Sequence, residues 1–194
     1  MTESLQKHIR EYVEISDEKL EKYCNAFTHR KIKKKEFLLM EGNICDFEGF
    51  VVSGCFKVFH TNRNAAEQIL YFAIENWWIS DIDSFINRIP SKLTIQALEN
   101  SEILLISRKD KEKLYQEMPE VERLMRLKFQ SSIIALQRRI IDNLSKSSEE
   151  RYIEFLKKYP QTAHRLTNIQ IAAYLGVTPE SLSRVRKNIV KKDE

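Results

Sequence analysis

The 194-residue sequence predicts an α+β protein: an N-terminal antiparallel β-roll, one long helix, and a C-terminal all-α helix-turn-helix domain. Three observations predict it. From residue 31 to residue 107 the chain breaks into short apolar runs separated by turn residues, the signature of an antiparallel sandwich or roll. Residues 119–144 keep an unbroken helical pattern. Residues 166–187, LTNIQIAAYLGVTPESLSRVRK, hold two short helical patterns around a glycine, the layout of a helix-turn-helix. The expected boundaries are 1–118 for the roll, 119–145 for the long helix and 146–194 for the C-terminal domain.

Leu5, Ile9, Tyr12, Val13, Leu20, Tyr23 and Phe27 recur at helical spacing, and Ser16-Asp17-Glu18 offers a restart between two helices. Lys35–Met40 is a strand running into a turn at Glu41-Gly42. Phe50–Phe59 (FVVSGCFKVF) is two strands hinged at Ser53-Gly54, a hairpin signal. Gln68–Ala73 is a further strand, and Leu93–Leu98 with Glu102–Ser107 predicts a second hairpin around Glu99-Asn100-Ser101. The basic run Arg30–Lys35 suits a solvated strand edge, where lysines block mispairing; a nucleic-acid contact is the alternative.

Pro119 opens the long helix. Met125, Phe129, Ile133, Leu136, Ile140 and Leu144 form one apolar stripe, and Leu124, Leu127, Ile134 and Ile141 form another on a different face. A surface helix of a monomer needs one apolar face, so two faces imply two partners: the chain's own roll and a second copy of this helix. The first stripe is the expected homodimer interface. Burial between the two domains of a monomer is the alternative.

Ser147 or Ser148 caps the next helix, with Glu149 and Glu150 in its first turn; Tyr152, Phe155 and Leu156 should face inward, and Tyr159-Pro160 ends it. In the following segment Ile169, Ala172, Ala173 and Leu175 are apolar at helical spacing. Gly176 sits where the first helix must stop, since glycine adopts positive φ at least cost. Thr178 is a good N-cap, Pro179 suits the first helical position, and Glu180 suits the helix dipole. Leu182 and Val185 point inward, which leaves Glu180, Ser181, Ser183, Arg184 and Lys187 facing out.

Charge follows this division. Residues 1–145 balance, and the whole formal charge of +4 falls in residues 146–194, where an electrostatic footprint for nucleic acid belongs. Cys24, Cys45 and Cys55 lack a CxxC or Cys/His ligand spacing, and the four histidines are scattered, so no metal and no cofactor is expected. The charged N-terminus has no apolar leader and no run reaches a membrane span; the expectation is a cytoplasmic protein with reduced thiols and no membrane partner. Ser53-Gly54-Cys55 is no nucleophile elbow, and there is no P-loop or Ser/His/Asp arrangement. Asp81 and Asp83 would point oppositely in a strand. An enzyme is not expected.

Strand roll, long helix, helix-turn-helix is the order of the bacterial Crp/Fnr transcription regulators, and the chain resembles them along nearly its whole length. Phe50–Phe59, Leu93–Ser107 and Leu166–Lys187 carry the likeness. The resemblance implies a cyclic nucleotide-binding-like roll and a DNA-reading helix. Glu180, Ser183 and Arg184 fit the E-x-x-S-R spacing of the Fnr branch, and Pro179 stands where the cyclic-AMP-responsive branch has an Arg, which favours a TTGA-type half-site. The chemistry is independently sound: Arg bonds guanine O6 and N7 bidentately, and Glu accepts from cytosine N4. Thr167, Asn168 and Gln170 are candidates for phosphate contacts; Thr178, Ser181 and Lys187 complete the expected DNA surface.

Two departures accompany the likeness. Cyclic-nucleotide binders of the family hold ribose and phosphate with a Gly-Glu-Leu segment and an Arg-Ser pair. Here that region reads Trp77-Trp78-Ile79-Ser80-Asp81-Ile82, then Pro90-Ser91-Lys92. A phosphate cradle needs closely approaching N–H groups and a cation, and only Lys92 is placed to help. The effector-pocket candidates are therefore Trp77, Trp78, Ser80, Asp81, Ser91 and Lys92, with an effector other than cyclic AMP. Trp77 and Trp78 would line an altered pocket or serve the core. The family usually has a two-stranded wing after the recognition helix, and with only Asn188–Glu194 following here, wing contacts to DNA are expected to be absent or minimal. The expected partners are double-stranded DNA, a second copy of the chain, a small-molecule effector and RNA polymerase. The competing expectation is a ligand-sensing or interaction module that no longer binds DNA.

Overall fold

A computed structural model describes the backbone of residues 2–193 and the side chains of residues 2–189. The chain enters through α1 (Glu3–Arg10) and α2 (Asp17–Asn25). They separate where expected, at Ser16, whose hydroxyl accepts the Lys19 N–H and caps α2. Eight strands follow: β1 (Thr28–Ile32), β2 (Phe37–Leu39), β3 (Phe47–Ser53), β4 (Phe56–Thr61), β5 (Glu67–Ala73), β6 (Trp78–Ile79), β7 (Thr94–Ala97) and β8 (Ser101–Ser107). A short helix α3 (Ile82–Asn87) lies between β6 and β7. Beyond β8 lie α4 (Arg108–Glu117), α5 (Pro119–Ser145), α6 (Ser148–Lys158), a 3-10 turn at Ala163–Arg165, α7 (Asn168–Leu175) and α8 (Pro179–Asp193). The fold is mixed α+β with antiparallel sheets and one long helix, as the sequence predicts.

The strands form two four-stranded sheets in the orders β1-β8-β3-β6 and β2-β7-β4-β5. This corrects both hairpins. β3 and β4 lie in different sheets, and so do β7 and β8. The Phe50–Phe59 segment instead belongs to a two-stranded ribbon that bends from one sheet into the other. Val51 pairs with Ile103 and Ser53 with Glu102 in the first sheet; beyond the corner Phe56 pairs with Ala97 and Phe59 with Thr94 in the second. The N–H of Leu98 donates to the Cys55 carbonyl at 2.8 Å within the corner. The physical reason is burial. Val51, Phe56, Val58, Ile95 and Ile103 all enter one core cluster, and two facing sheets accommodate apolar residues from both sides of the corner. A flat hairpin would divide them between a buried and a solvated face.

By internal packing the chain forms two units, one of residues up to His60 with Tyr71–Gln130, the other of Thr61–Leu70 with residues from Ser131 onward. In the first, a second core cluster joins Leu5, Ile9, Leu20 and Tyr23 to Phe50, Leu104 and Ile106, and to Leu114, Val121 and Leu124. Glu48 and Lys111 are both buried and form an ion pair. Lys111 also lies within cation–π range of the Phe85, Tyr115 and Phe129 rings. Burial lowers the Lys111 pKa while the Glu48 charge raises it.

In the second unit Ser147 caps α6 through a capping box with Glu150. Tyr152 and Phe155 are buried, but Leu156 is exposed, a correction to its expected inward position. One helical step is about 100°, and α6 spends that step turning Phe155 onto Tyr159 and Tyr174, 5.2 and 5.3 Å away. Along α5, Val121, Leu124 and Met125 are buried and Phe129 is half-buried. Beyond them the stripe opens: Ile133 is 56%, Leu136 58%, Ile140 51% and Leu144 83% exposed. Ile134 and Ile141, of the other stripe, are exposed as well.

Candidate nucleic-acid interface

Thr167 starts α7 with a capping box: its hydroxyl accepts the Gln170 N–H, and the Gln170 side chain accepts the Thr167 N–H at 2.8 Å. Two residues expected to meet phosphates are thus engaged with each other at the helix start. Gly176 ends α7 with φ +68°, the left-handed conformation the sequence requires of it. Thr178 accepts the Ser181 N–H at 3.2 Å and so caps α8. Ile171, Ala172 and Leu175 are buried beneath α7 and Leu182 beneath α8. Ile169 is 69% exposed, a correction to its expected place in the apolar pattern; α7 turns Ile171 inward in its stead.

Asn168 ties the two helices together. Its amide donates to the Pro179 carbonyl at 3.0 Å and to the Ser183 hydroxyl at 3.2 Å. Ser183 in turn donates to the Pro179 carbonyl at 2.9 Å. On the outer side of α8, Glu180, Ser183, Arg184 and Lys187 are all exposed. Their spacing of three and four residues puts them on one face. The Arg184 guanidinium donates to the Ser181 hydroxyl at 3.2 Å, which holds it over the first turn. The Glu180 carboxyl is held below the usual carboxylate range, chiefly by its own backbone N–H, then by the Thr178 hydroxyl and the Arg184 charge. The face thus presents an ionised acceptor and two cations about one helical turn apart. Such groups bond base edges and phosphates. Of Asn188–Glu194, expected to follow the recognition helix, the residues to Asp193 belong to α8 itself, and Glu194 lies outside the described residues.

Arg139, which no sequence signal marks, also shapes this unit. Its guanidinium donates to the carbonyls of Ile69 and Tyr174, both at 3.0 Å, and stacks 4.3 Å from the Tyr174 ring. Arg186 is half-buried and lies over the Tyr152 ring at 5.3 Å.

The effector-pocket candidates divide. Ser80, Asp81 and Ser91 are buried and hydrogen-bonded into the fold. Asp81 caps α3 by accepting the N–H groups of Asp83 and Ser84, and it accepts the Ser91 hydroxyl at 2.5 Å. Ser80 donates to the Phe47 carbonyl at 2.9 Å. Asp83 lies on that helix, not on a strand, and accepts from the Asn87 amide at 2.7 Å. Trp78 packs on Phe50 and Phe27 at 5.5 and 6.1 Å. Trp77 is half-buried against the inter-sheet cluster. The Lys92 side chain is exposed, and its carbonyl lies 3.0 Å from His60 Nδ1. Among the described residues no group of His, Cys, Asp and Glu is placed to hold a metal ion. Among them, too, no helix is long and apolar enough to cross a membrane.

Residues 29–118 match the cyclic nucleotide-binding domain family. No curated protein matches the chain. Several solved structures share its fold. One is a global regulator from Xanthomonas campestris, described as responsive to c-di-GMP and as linking cell–cell signalling to virulence gene expression. It is 13% identical at a TM-score of 0.76, over 92% of this chain and 93% of that one. FixK2 from Bradyrhizobium japonicum is 20% identical at 0.71, over 86% of both chains. CooA from Carboxydothermus hydrogenoformans is 20% identical at 0.70, over 88% of this chain and 79% of that one.

Proposed function

We propose that the chain is a homodimeric, sequence-specific DNA-binding transcription regulator of the Crp/Fnr type. In this reading residues 1–118 sense, 119–145 dimerise and 146–194 read DNA, in the cytoplasm and in contact with RNA polymerase. The observation that carries it is the outer face of α8. Glu180, Arg184 and Lys187 stand exposed there, on a helix whose position is fixed by the Thr178 cap, the Asn168 bridge and buried Leu182. A helix entering the major groove presents such a face at its N-terminal end. Thr167 and Gln170 then support this face as a capping pair, and phosphate contacts near α7 fall to the other N–H groups of its first turn. The apolar stripe Ile133, Leu136, Ile140 and Leu144, exposed in the single chain, supports pairing with a second copy.

The effector is one other than cyclic AMP. Asp81 is buried and already accepts three hydrogen bonds around Ser91; a carboxylate there repels a phosphate rather than cradling it. Trp77 and Lys92 remain at the edge of this region as contacts for a different molecule. Gel shift with random duplex DNA at two salt concentrations tests the DNA reading. Binding that weakens steeply with salt is expected, because phosphate contacts release counterions. No binding at either concentration would leave the chain a sensing or interaction module. Calorimetric titration with cyclic AMP and cyclic GMP should show no heat of binding; submicromolar affinity for either would overturn the reading of this pocket.

A further inference from the structure

We propose that a cleft in the C-terminal unit, walled by α5, α6 and α7, binds a small phosphate anion or phosphate ester. The cleft encloses about 300 Å³, at the lower end of the range for small-molecule sites. Two cations reach it from α5, Arg138 and Arg139, and two from α6, Arg151 and Lys158; Phe155 and Tyr174 supply its apolar and aromatic surface. Two carboxylates share the wall, Asp142 and Glu154. Both are engaged by other lysines: Lys146 Nζ lies 2.9 Å from Asp142 and 3.7 Å from Glu154, and Lys157 Nζ lies 3.1 Å from Glu154. The wall therefore has a surplus of positive charge.

Arg151 is also incompletely satisfied. Arg151 reaches the Asn143 carbonyl at 3.3 Å and the Ser148 hydroxyl at 3.5 Å, both long. Its Nε is closed off from solvent and has no partner. A buried donor without an acceptor is costly. Surrounding protein atoms, and next the Arg139 charge, hold the Lys158 ammonium below the usual lysine range although solvent reaches it. Clustered cations that repel one another, and a guanidinium whose present hydrogen bonds are long, both gain from an anion between them. Phosphate fits better than carboxylate: its oxygens take a guanidinium fork and an ammonium at once. The Phe155 and Tyr174 surface admits a sugar or a base behind the phosphate, up to about the size of a mononucleotide. This site is separate from the face of α8 that reads DNA and does not depend on that reading.

The test uses the full chain without DNA. Thermal unfolding and calorimetry are run with inorganic phosphate, with adenosine 5′-monophosphate, and with chloride at equal ionic strength. Phosphate and the mononucleotide should each raise the unfolding temperature beyond the chloride control. Tighter binding of the mononucleotide marks an ester site; equal or weaker binding marks a site for free phosphate. Arg151→Gln with Lys158→Met should weaken binding at least about tenfold, the loss of a charge-assisted contact. Arg138→Gln, at an exposed position that leaves the packing intact, should weaken it as well. Arg184→Ala, on α8, should leave it unchanged. Shifts no larger than those of chloride, or shifts that survive both the double variant and Arg138→Gln, would overturn the proposal.

Discussion

Two glycines with positive φ should respond differently to alanine, and the difference follows from the space around them. Gly176 has φ +68° and nothing within 4 Å of where a Cβ would sit. Gly176→Ala therefore carries only the left-handed backbone penalty, about 1–2 kcal/mol. Gly54 has φ +96°, and a Cβ there would lie 2.1 Å from Ser101 Oγ, 2.6 Å from its Cβ and 2.9 Å from its Cα. The last contact is backbone, so no rotamer change relieves it. Ser101 is buried and begins β8, and the corner between the sheets must open to admit a methyl group. Overpacking of a closed site adds about 1–3 kcal/mol to the backbone term, so Gly54→Ala should cost roughly 2–5 kcal/mol. Urea unfolding followed by circular dichroism gives both values. Equal losses for the two variants, or a Gly54→Ala loss near 1 kcal/mol, would show that the two crossing segments do not meet as described.

Replacing Ile133 and Ile140 together with Glu places charges in the proposed helix seam, at several kcal/mol if unpaired; light scattering should show a shift to monomer, and a wild type already monomeric at micromolar concentration would refute the seam. His8 is buried, and burial, then the Lys128 charge, lowers its pKa to about 4 against a small opposing pull from Glu11. Its folded pKa lies below the unfolded value near 6.5, so the unfolded chain takes up more protons between them. Stability from this group is intact above pH of about 6.5 and is lost as pH falls toward 4, by up to roughly 3 kcal/mol. His8→Phe should flatten that limb of the pH–stability curve, and an unchanged slope would count against the assignment. Lys111→Met leaves Glu48 buried without its partner and should cost about 3–5 kcal/mol, whereas adding Glu48→Leu should recover much of the loss; a double variant no better than the single one would contradict this.

Local chemistry made some features legible in the sequence. Ser16, Ser147 and Thr178 are capping residues whose side chains accept a backbone N–H three residues on, and Gly176 takes the conformation that ends α7. These depend on a few adjacent residues, so the sequence suffices. The hairpins misled because Ser53-Gly54 and Glu99-Asn100-Ser101 are turn residues in either arrangement. Which sheet a strand joins is decided by pairing with residues about fifty positions away, as Val51 with Ile103. α4 escaped notice because its segment, RKDKEKLYQE, buries only Lys111 and Leu114, too little for an apolar stripe. In the candidate site, Glu180, Arg184 and Lys187 were legible as outward residues of an amphipathic helix. The engagement of Thr167 with Gln170 fits a capping box as well as a phosphate contact, and the sequence alone favoured the second. Arg139 was not legible at all, since its acceptors are the backbone carbonyls of Ile69 and Tyr174.

The central claim is that the outer face of α8 reads base sequence. Selection of preferred duplexes from a random pool, run on the wild type, Arg184→Ala and Lys187→Ala, tests it most directly. The wild type should select a palindrome with half-sites about 34 Å apart. Arg184→Ala should lose about 1–3 kcal/mol and relax one guanine in each half-site. Lys187→Ala should weaken binding to all sequences and flatten its salt dependence without changing the selected motif. A motif and an affinity unaltered by Arg184→Ala, or no motif selected by the wild type, would contradict the account.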